Sequence, residues 1–554
     1  MKKKQETLID IILILLIAIF CISISPKTLQ NDTFYTISIG KHIIEEKQID
    51  MKDPFSWHEN LPYTYPHWLY DVIIYLIYNA GGMEGIYIST CIFCAILGIV
   101  LYKTNSKISG NKYISFIIAI LSIYILRGFI AARAQLVTFT LFVLTLYFIE
   151  QFLKTKKKRY AIGLIAIPIL IANLHTAVWP FYFVIYLPYI AEYIIELIAE
   201  FILEGKSEIF FLKLQIKRTK NEEKKNNYEN KLKQKVEKAE KIKQKRKNNE
   251  IYKLKLERND NVKWLILIMT ICAFTGLLTP LGPTTPYTYL IKTMQGNTTN
   301  NINEHLPMTL VQHEEILCVI VVYLAILIFT KCKIYLRDLL MLGGLVYLML
   351  RTRRQQTMFI LLGSFIANKM ICELIREYFK DEIKNVSDKT KAIATLVTIF
   401  VFCGSVIIYA FNEIDKKEHE EYVDQSAYPV DASTFILTDL DYKNIRIYNE
   451  YNYGSYMLYR GIPVFIDSRC DLYAPEYNTP TGKVDDGQDI FMDFLKSSNI
   501  DVFYEDIFKK YNITHCILYR NSKMNLIIEN TNNGEYNKIY QDKFFVIYEV
   551  MYNL

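Results

Sequence analysis

Apolar residues in this chain arrive in blocks too long and too continuous for the helices of a soluble protein. They fall near residues 8–25, 83–102, 113–126, 135–153, 160–174, 180–203, 263–279, 315–331, 336–350, 356–373 and 392–411. A chain patterned this way folds as a polytopic α-helical membrane protein, with about eleven transmembrane helices. The first block follows Lys2-Lys-Lys4, as a signal peptide would, yet no small-residue cleavage site stands out and more blocks follow. It reads as a retained first span.

Lys and Arg cluster at Lys2 to Lys4, Lys103 to Lys112, Lys154 to Arg159, the 204–262 stretch, Lys331 to Arg337 and Lys369 to Lys391. These are alternate connections, so the positive-inside rule places them and the N-terminus in the cytoplasm. An odd number of spans then puts the C-terminus outside, as expected of a multi-pass cell-membrane protein. Net charge is +7, but the stretch from Glu204 to Lys263 holds 20 Lys and Arg against 10 Asp and Glu, so the rest is slightly acidic. That removes the main support for a nucleic-acid partner.

Four regions follow. Residues 1–203 form an N-terminal membrane module with a first exterior loop at 26–67, and 263–411 form a second membrane module. Between them, 204–262 is a cytoplasmic charged insertion in which Leu232, Val236, Ala239 and Ile242 recur at coiled-coil-like helical spacing. It is a solvated helix or a docking arm for a partner or anionic lipid heads. Beyond residue 412, short alternating runs such as Val464-Phe-Ile, Thr514 to Tyr519 and Phe544 to Val550 predict a small exterior α/β domain. Cys470 and Cys516 fall in this part, where one disulfide is allowed and none is required.

Within the first loop, Thr33 to Glu46 has apolar residues at helical spacing and is expected to lie along the membrane surface. Trp68 to Ala80 predicts a short re-entrant or interfacial helix ending at Gly81-Gly82. Asp32 stands just beyond the first span. It caps the following helix, or it acts as a base at an outward cavity. Cations are sparse on the outer side except for Arg127 and Arg133, then Arg351, Arg353 and Arg354, with His175 at the outer end of its span. Near headgroup level such cations pair with carboxylates, snorkel to lipid heads, or hold a lipid phosphate. His67 beside Trp68 is a sugar-binding pair or an interfacial anchor, Asp53 before Pro54 a turn former, and Glu304 lines the same cavity or solvates its loop. His42, His58, His305 and His313 are too irregularly spaced for a metal site.

Ordered motifs run along the chain: Asn31-Asp32, Gly40-Lys-His-Ile-Ile44, Asp53-Pro-Phe-Ser-Trp57, His67-Trp-Leu69, Arg133-Ala-Gln-Leu136 and Ala172-Asn-Leu-His175. Thr279-Pro-Leu-Gly282, Ile302-Asn-Glu304, Arg351-Thr-Arg-Arg354, Asn449 to Gly454, Phe465-Ile-Asp-Ser-Arg469 and Asp471-Leu-Tyr473 continue the series. In this order they resemble the GT-C membrane glycosyltransferases, in particular bacterial multi-pass proteins related to the dolichyl-phosphate-mannose protein mannosyltransferases. The resemblance implies a GT-C-like fold and transfer of a sugar, with inversion, from a polyprenyl-phosphate donor to an extracytoplasmic glycan, lipid or protein. It implies Asp32 as catalytic base, while Arg127, Arg133, His175, Arg351, Arg353 and Arg354 fit donor-phosphate binding. His67, Glu304, Asp467 and Arg469 are candidates for an acceptor site or cavity wall, and a buried Asp-Arg pair is the plainer reading of the last two. Asp32 has no adjacent second carboxylate, so neither a metal nor another cofactor is expected. The alternative is a non-catalytic protein that binds or flips a lipid-linked glycan or scaffolds envelope assembly. An ion-coupled transporter lacks support, since the spans show no paired intramembrane carboxylates.

Overall fold

The structure, a computed structural model, describes residues 2–59, 61–248, 253–282, 285–295, 301–378, 388–479, 486–531 and 534–551. The N-terminal half contains α1 (Lys2–Ile24), α2 (Asn31–Glu46), α3 (Trp68–Ser109), α4 (Lys112–Ile125), α5 (Ala134–Thr155), α6 (Lys158–Leu174), α7 (Phe181–Val184) and α8 (Leu187–Leu203). There follow α9 (Lys206–Arg218), α10 (Glu222–Asn248), α11 (Val262–Cys272), α12 (Thr285–Gln295), α13 (Glu314–Phe329), α14 (Leu336–Arg351), α15 (Gln356–Tyr378) and α16 (Asp388–Glu418). Each apolar block of the sequence is helical, with 180–203 and 263–279 each broken into two pieces. Among the described residues five helical stretches are long and apolar enough to cross a membrane: Glu6–Ile24, Trp68–Ser109, Ala134–Thr155, Thr176–Ile202, which takes in α7 and α8, and Arg353–Tyr378. On α1 the residues Leu8, Ile11, Ile12, Leu15, Ile19 and Ile22 face outward while Leu13, Ile17 and Phe20 are buried. A helix apolar all round belongs in lipid.

The predicted 68–80 helix is continuous with the span after it. Together they make α3, whose 42 residues would extend ~63 Å if straight, about twice the hydrocarbon thickness. Gly82, with φ +59° and ψ −150°, breaks it where the sequence has Gly81-Gly82. Only glycine takes that backbone without strain. The segment expected on the membrane surface, α2, has its apolar face covered by protein instead. Phe34, Tyr35, Ile37, Ile39 and Ile43 are buried, and Gly40 lets the backbone of α3 approach closely.

The C-terminal region carries α17 (Val430–Asp439), α18 (Tyr451–Tyr459), α19 (Ile490–Asn499), α20 (Tyr504–Tyr511) and α21 (Lys523–Thr531) around one sheet. Leu254–Lys255 and Ile334–Tyr335 form a two-residue parallel pair, β1 and β2, elsewhere in the chain. The C-terminal sheet runs β3 (Ile447–Tyr448), β4 (His515–Tyr519), β6 (Phe545–Val550), β5 (Tyr536–Gln541), parallel at β3/β4 and antiparallel at the other two junctions. In register, Ile517 faces Ile547, and both central strands are apolar runs buried on both faces. Val464 forms only an isolated bridge to Ser56 of the first loop. Cys470 and Cys516 are free thiols. One apolar cluster joins this region to α2 and α3, taking Phe34, Ile37, Tyr70 and Ile74 together with Met457, Ile466, Ile517 and Ile547.

The ends of α1 and α16 are tied together. Lys417 donates to the Ile22 carbonyl at 3.0 Å and also to that of Ser25, while the Thr28 hydroxyl donates to the Glu421 carbonyl at 2.8 Å. The segments that follow these two helices therefore lie on the same side of the helical body. At the root of the 204–262 insertion, Arg258 pairs with Glu200, and Glu208 of α9 pairs with Lys235 of α10.

Candidate active site

Asp32 lies in the first turn of α2, where the positive end of the helix dipole favours a carboxylate. Gln30 holds the cap position with no side-chain cap hydrogen bond, so the carboxylate is turned to another use. It meets Arg133, whose Nη2 lies 2.9 Å from Asp32 Oδ2 while Nη1 lies 3.0 Å from Glu304 Oε1. Arg133 directly precedes α5 in extended backbone, and the Thr33 hydroxyl bonds the Ala132 carbonyl at 3.4 Å, which fixes α2 against this corner. The third guanidinium donor, Arg133 Nε, is buried without a hydrogen-bond partner.

Glu304 stands on a turn, Asn303–His305, that packs on a second turn, Arg353–Gln355, through a 2.9 Å bond from Arg353 N–H to the Leu306 carbonyl. That docking brings Arg354 into the field of Glu304, His67, His175 and His305. The His67 and His175 rings lie 4.7 Å apart, held by bonds from Trp68 Nε1 to Asn173 (3.2 Å) and from Thr176 N–H to the Pro66 carbonyl (2.9 Å). Burial, then Arg354 and Arg133, lower the His67 pKa to about 3, and burial followed by Arg354 lowers that of His305. Both imidazoles are therefore neutral, and the positive charge belongs to the arginines. Burial alone would raise the Glu304 carboxyl, but Arg133 and Arg354 hold it below its usual range.

Beside the cluster opens a cavity of about 420 Å³, lined among others by Gln30, Asn31, Arg133, Gln135, Glu304 and Tyr428. Asp32 does not line it and bears on it through Arg133. Among the described residues no group of three or more His, Cys, Asp or Glu is placed to hold a metal. Asp32 and Glu304 share the Arg133 guanidinium.

Asp32, Arg133, His67, His175, Glu304 and Arg354 thus share one neighbourhood. Arg127 lies outside it, pairing with Glu315 at 2.8 Å and stacking on Tyr124. Arg353 reaches the Pro307 carbonyl at 3.4 Å, and Arg351 ends α14 exposed. Asp467 and Arg469 are engaged elsewhere: Arg469 bonds Asp467 and, across the chain, Asp53, each at 2.6 Å, with these side chains at most 1% exposed. Asp53 does form its turn, accepting from Ser56 N–H at 2.9 Å, and it also binds the first loop to the C-terminal region. His305 was visible in the sequence as the neighbour of Glu304 but had no pattern to mark it. Tyr428 carried no signal.

No protein-family model and no curated protein sequence matches the chain. Among solved structures the chain shares its fold with an oligosaccharyltransferase of GT-C fold. That structure is the Archaeoglobus fulgidus oligosaccharyltransferase, tethered through a disulfide to an acceptor peptide containing the NVT sequon. The similarity covers 92% of this chain and 69% of that one, with a TM-score of 0.51 and 11% sequence identity.

Proposed function

We propose that this chain is an inverting membrane glycosyltransferase that moves a sugar from a polyprenyl-phosphate donor to an extracytoplasmic glycan, lipid or protein. The observation that carries the reading is the Asp32–Arg133–Glu304 arrangement beside the 420 Å³ cavity, with Arg133 Nε buried and unpartnered. A donor phosphate entering there takes up Arg133, and Arg354 adds a second cation. Asp32, released from the guanidinium, accepts the proton of the acceptor hydroxyl as its oxygen bonds the anomeric carbon. The bond from that carbon to the phosphate oxygen breaks on the opposite face, and its electron pair leaves on the phosphate held by the arginines. His67, neutral, and His175 beside it orient the donor by hydrogen bonding. Arg127, Arg351 and Arg353 serve the donor's approach. No metal takes part, because the arginines supply the positive charge.

The test uses the purified full chain in lipid nanodiscs with a radiolabelled polyprenyl-phosphate sugar and a cell-envelope acceptor fraction. Release of lipid phosphate is expected, in EDTA as in its absence. Asp32→Asn is expected to lower turnover by at least ~10²-fold while donor binding persists. Retained turnover in that variant removes Asp32 from its role. Binding of the donor with no release in the wild type selects the non-catalytic alternative.

A further inference from the structure

A second cavity, of about 210 Å³, shares no lining residue with the first. Its walls come from the first loop (Met51, Pro62, Tyr63, Thr64), from α12 (Thr285, Thr288, Tyr289, Lys292) and from Tyr477. It is smaller than the pockets that hold drug-sized ligands and suits a single sugar ring. Its lining is of the kind that holds a polyol: aromatic rings that bury the apolar face of a ring, and threonine hydroxyls beside them. The Tyr289 and Tyr477 rings lie 5.2 Å apart and are fixed from behind, Tyr289 by Asp471 and Tyr477 by Thr293 at 2.6 Å.

Lys292 sets the charge of this cavity. It is half-buried, its ammonium lies 5.7 Å from the centre of the Tyr477 ring, and among the described residues it forms no ion pair. A half-buried cation with a ring contact and no ion pair among the described residues is incompletely compensated. Burial draws its pKa below the ordinary lysine value, the direction that a bound anion reverses.

We infer that this cavity is a subsite for a sugar bearing an anionic group, a carboxylate as in a uronic acid or a phosphate ester, recognised through Lys292. It gives the acceptor of the proposed transfer a chemical class and in that sense rests on that reading, but the binding it asserts is measurable without any transfer.

The experiment titrates the full chain in nanodiscs, without donor, with methyl glucuronoside, glucose 6-phosphate, methyl glucoside and inorganic phosphate, following ligand-observed NMR. Wild-type protein is expected to bind the glucuronoside or the sugar phosphate at least about tenfold more tightly than methyl glucoside or inorganic phosphate. Lys292→Gln is expected to erase that preference and Lys292→Arg to keep it. Equal affinity for charged and neutral sugars, inorganic phosphate binding as well as the sugar phosphate, or an unchanged preference in Lys292→Gln overturns the inference. Running the same titration on Asp32→Asn separates the two proposals. A preference that survives there while wild-type transfer fails leaves the subsite standing alone, and transfer without any preference leaves the enzyme without this subsite.

Discussion

Arg133 serves two carboxylates from one planar group, and a lysine cannot copy that. Its Nη atoms reach Asp32 and Glu304 separately, so a point charge in its place leaves one acid uncompensated. Arg133→Lys is therefore expected to cost ~10-fold or more in kcat/KM, with the donor KM rising, in steady-state assays of lipid-phosphate release. His67 gives a pH signature. Its folded pKa, about 3, lies below the ordinary histidine value of about 6.5, so the unfolded chain binds the extra proton between those values. Its contribution to stability is complete above pH 6.5 and declines as pH falls toward 3. Thermal unfolding from pH 7.5 to 5 is expected to show a loss of stability that is smaller in His67→Gln; equal slopes refute it. At this scale the cluster was partly legible, because Asp32, Arg133, Arg354, His67 and His175 are polar residues close to the ends of apolar segments and Glu304 stands in a loop between two. The sharing of Arg133, and the reach of Asp53 to Arg469, were not legible, since no periodicity encodes a contact across 416 positions.

Two helices set the position of Asp32, and a missing side chain sets their spacing. A Cβ at Gly40 would lie 2.1 Å from the Asp71 carbonyl oxygen and 2.6 Å from Tyr75 Cβ, so α2 could not keep its seat on α3. Gly40→Ala is expected to destabilise by ~1–3 kcal/mol and to reduce transfer, because α2 carries Asp32 away from Arg133. Denaturation and activity measured on one preparation check both. Helix identity was readable, since each apolar block has the length of a helix. The partner of α2 was not: an amphipathic face looks the same in sequence whether lipid or protein covers it, and here α3 and α18 cover it. The central strands β4 and β6 were readable from their apolar runs, whereas β3 is two residues long and exists through its pairing with β4.

Across the whole molecule, the first loop and the C-terminal region are fastened by a buried charge cluster. Arg469 holds Asp53 and Asp467 at 2.6 Å, and Tyr473 adds a 2.6 Å bond to Asp467. Burial by itself would raise the Asp53 carboxyl, but Arg469 and Ser56 hold it below its usual range. Arg469→Ala leaves two carboxylates buried without their cation and is expected to cost ~3–5 kcal/mol. Thermal melting checks the loss, and faster proteolysis of the first loop is the accompanying sign. The sequence suggested a region of strands and helices beyond residue 412, but not that its core would be the same core as that of α2 and α3.

That shared core also orders the events of biosynthesis. Asp32 is made before Arg133, Glu304 and Arg354, which follow at long intervals, and the core that takes in α2 also includes Phe545 to Tyr548, made after all of them. The apolar helices described above can be synthesised and inserted while that core is still incomplete. Synthesis halted before β6 would leave the apolar helices described above in place over an incomplete core. The core shared by α2 and the sheet closes only when β6 pairs with β4.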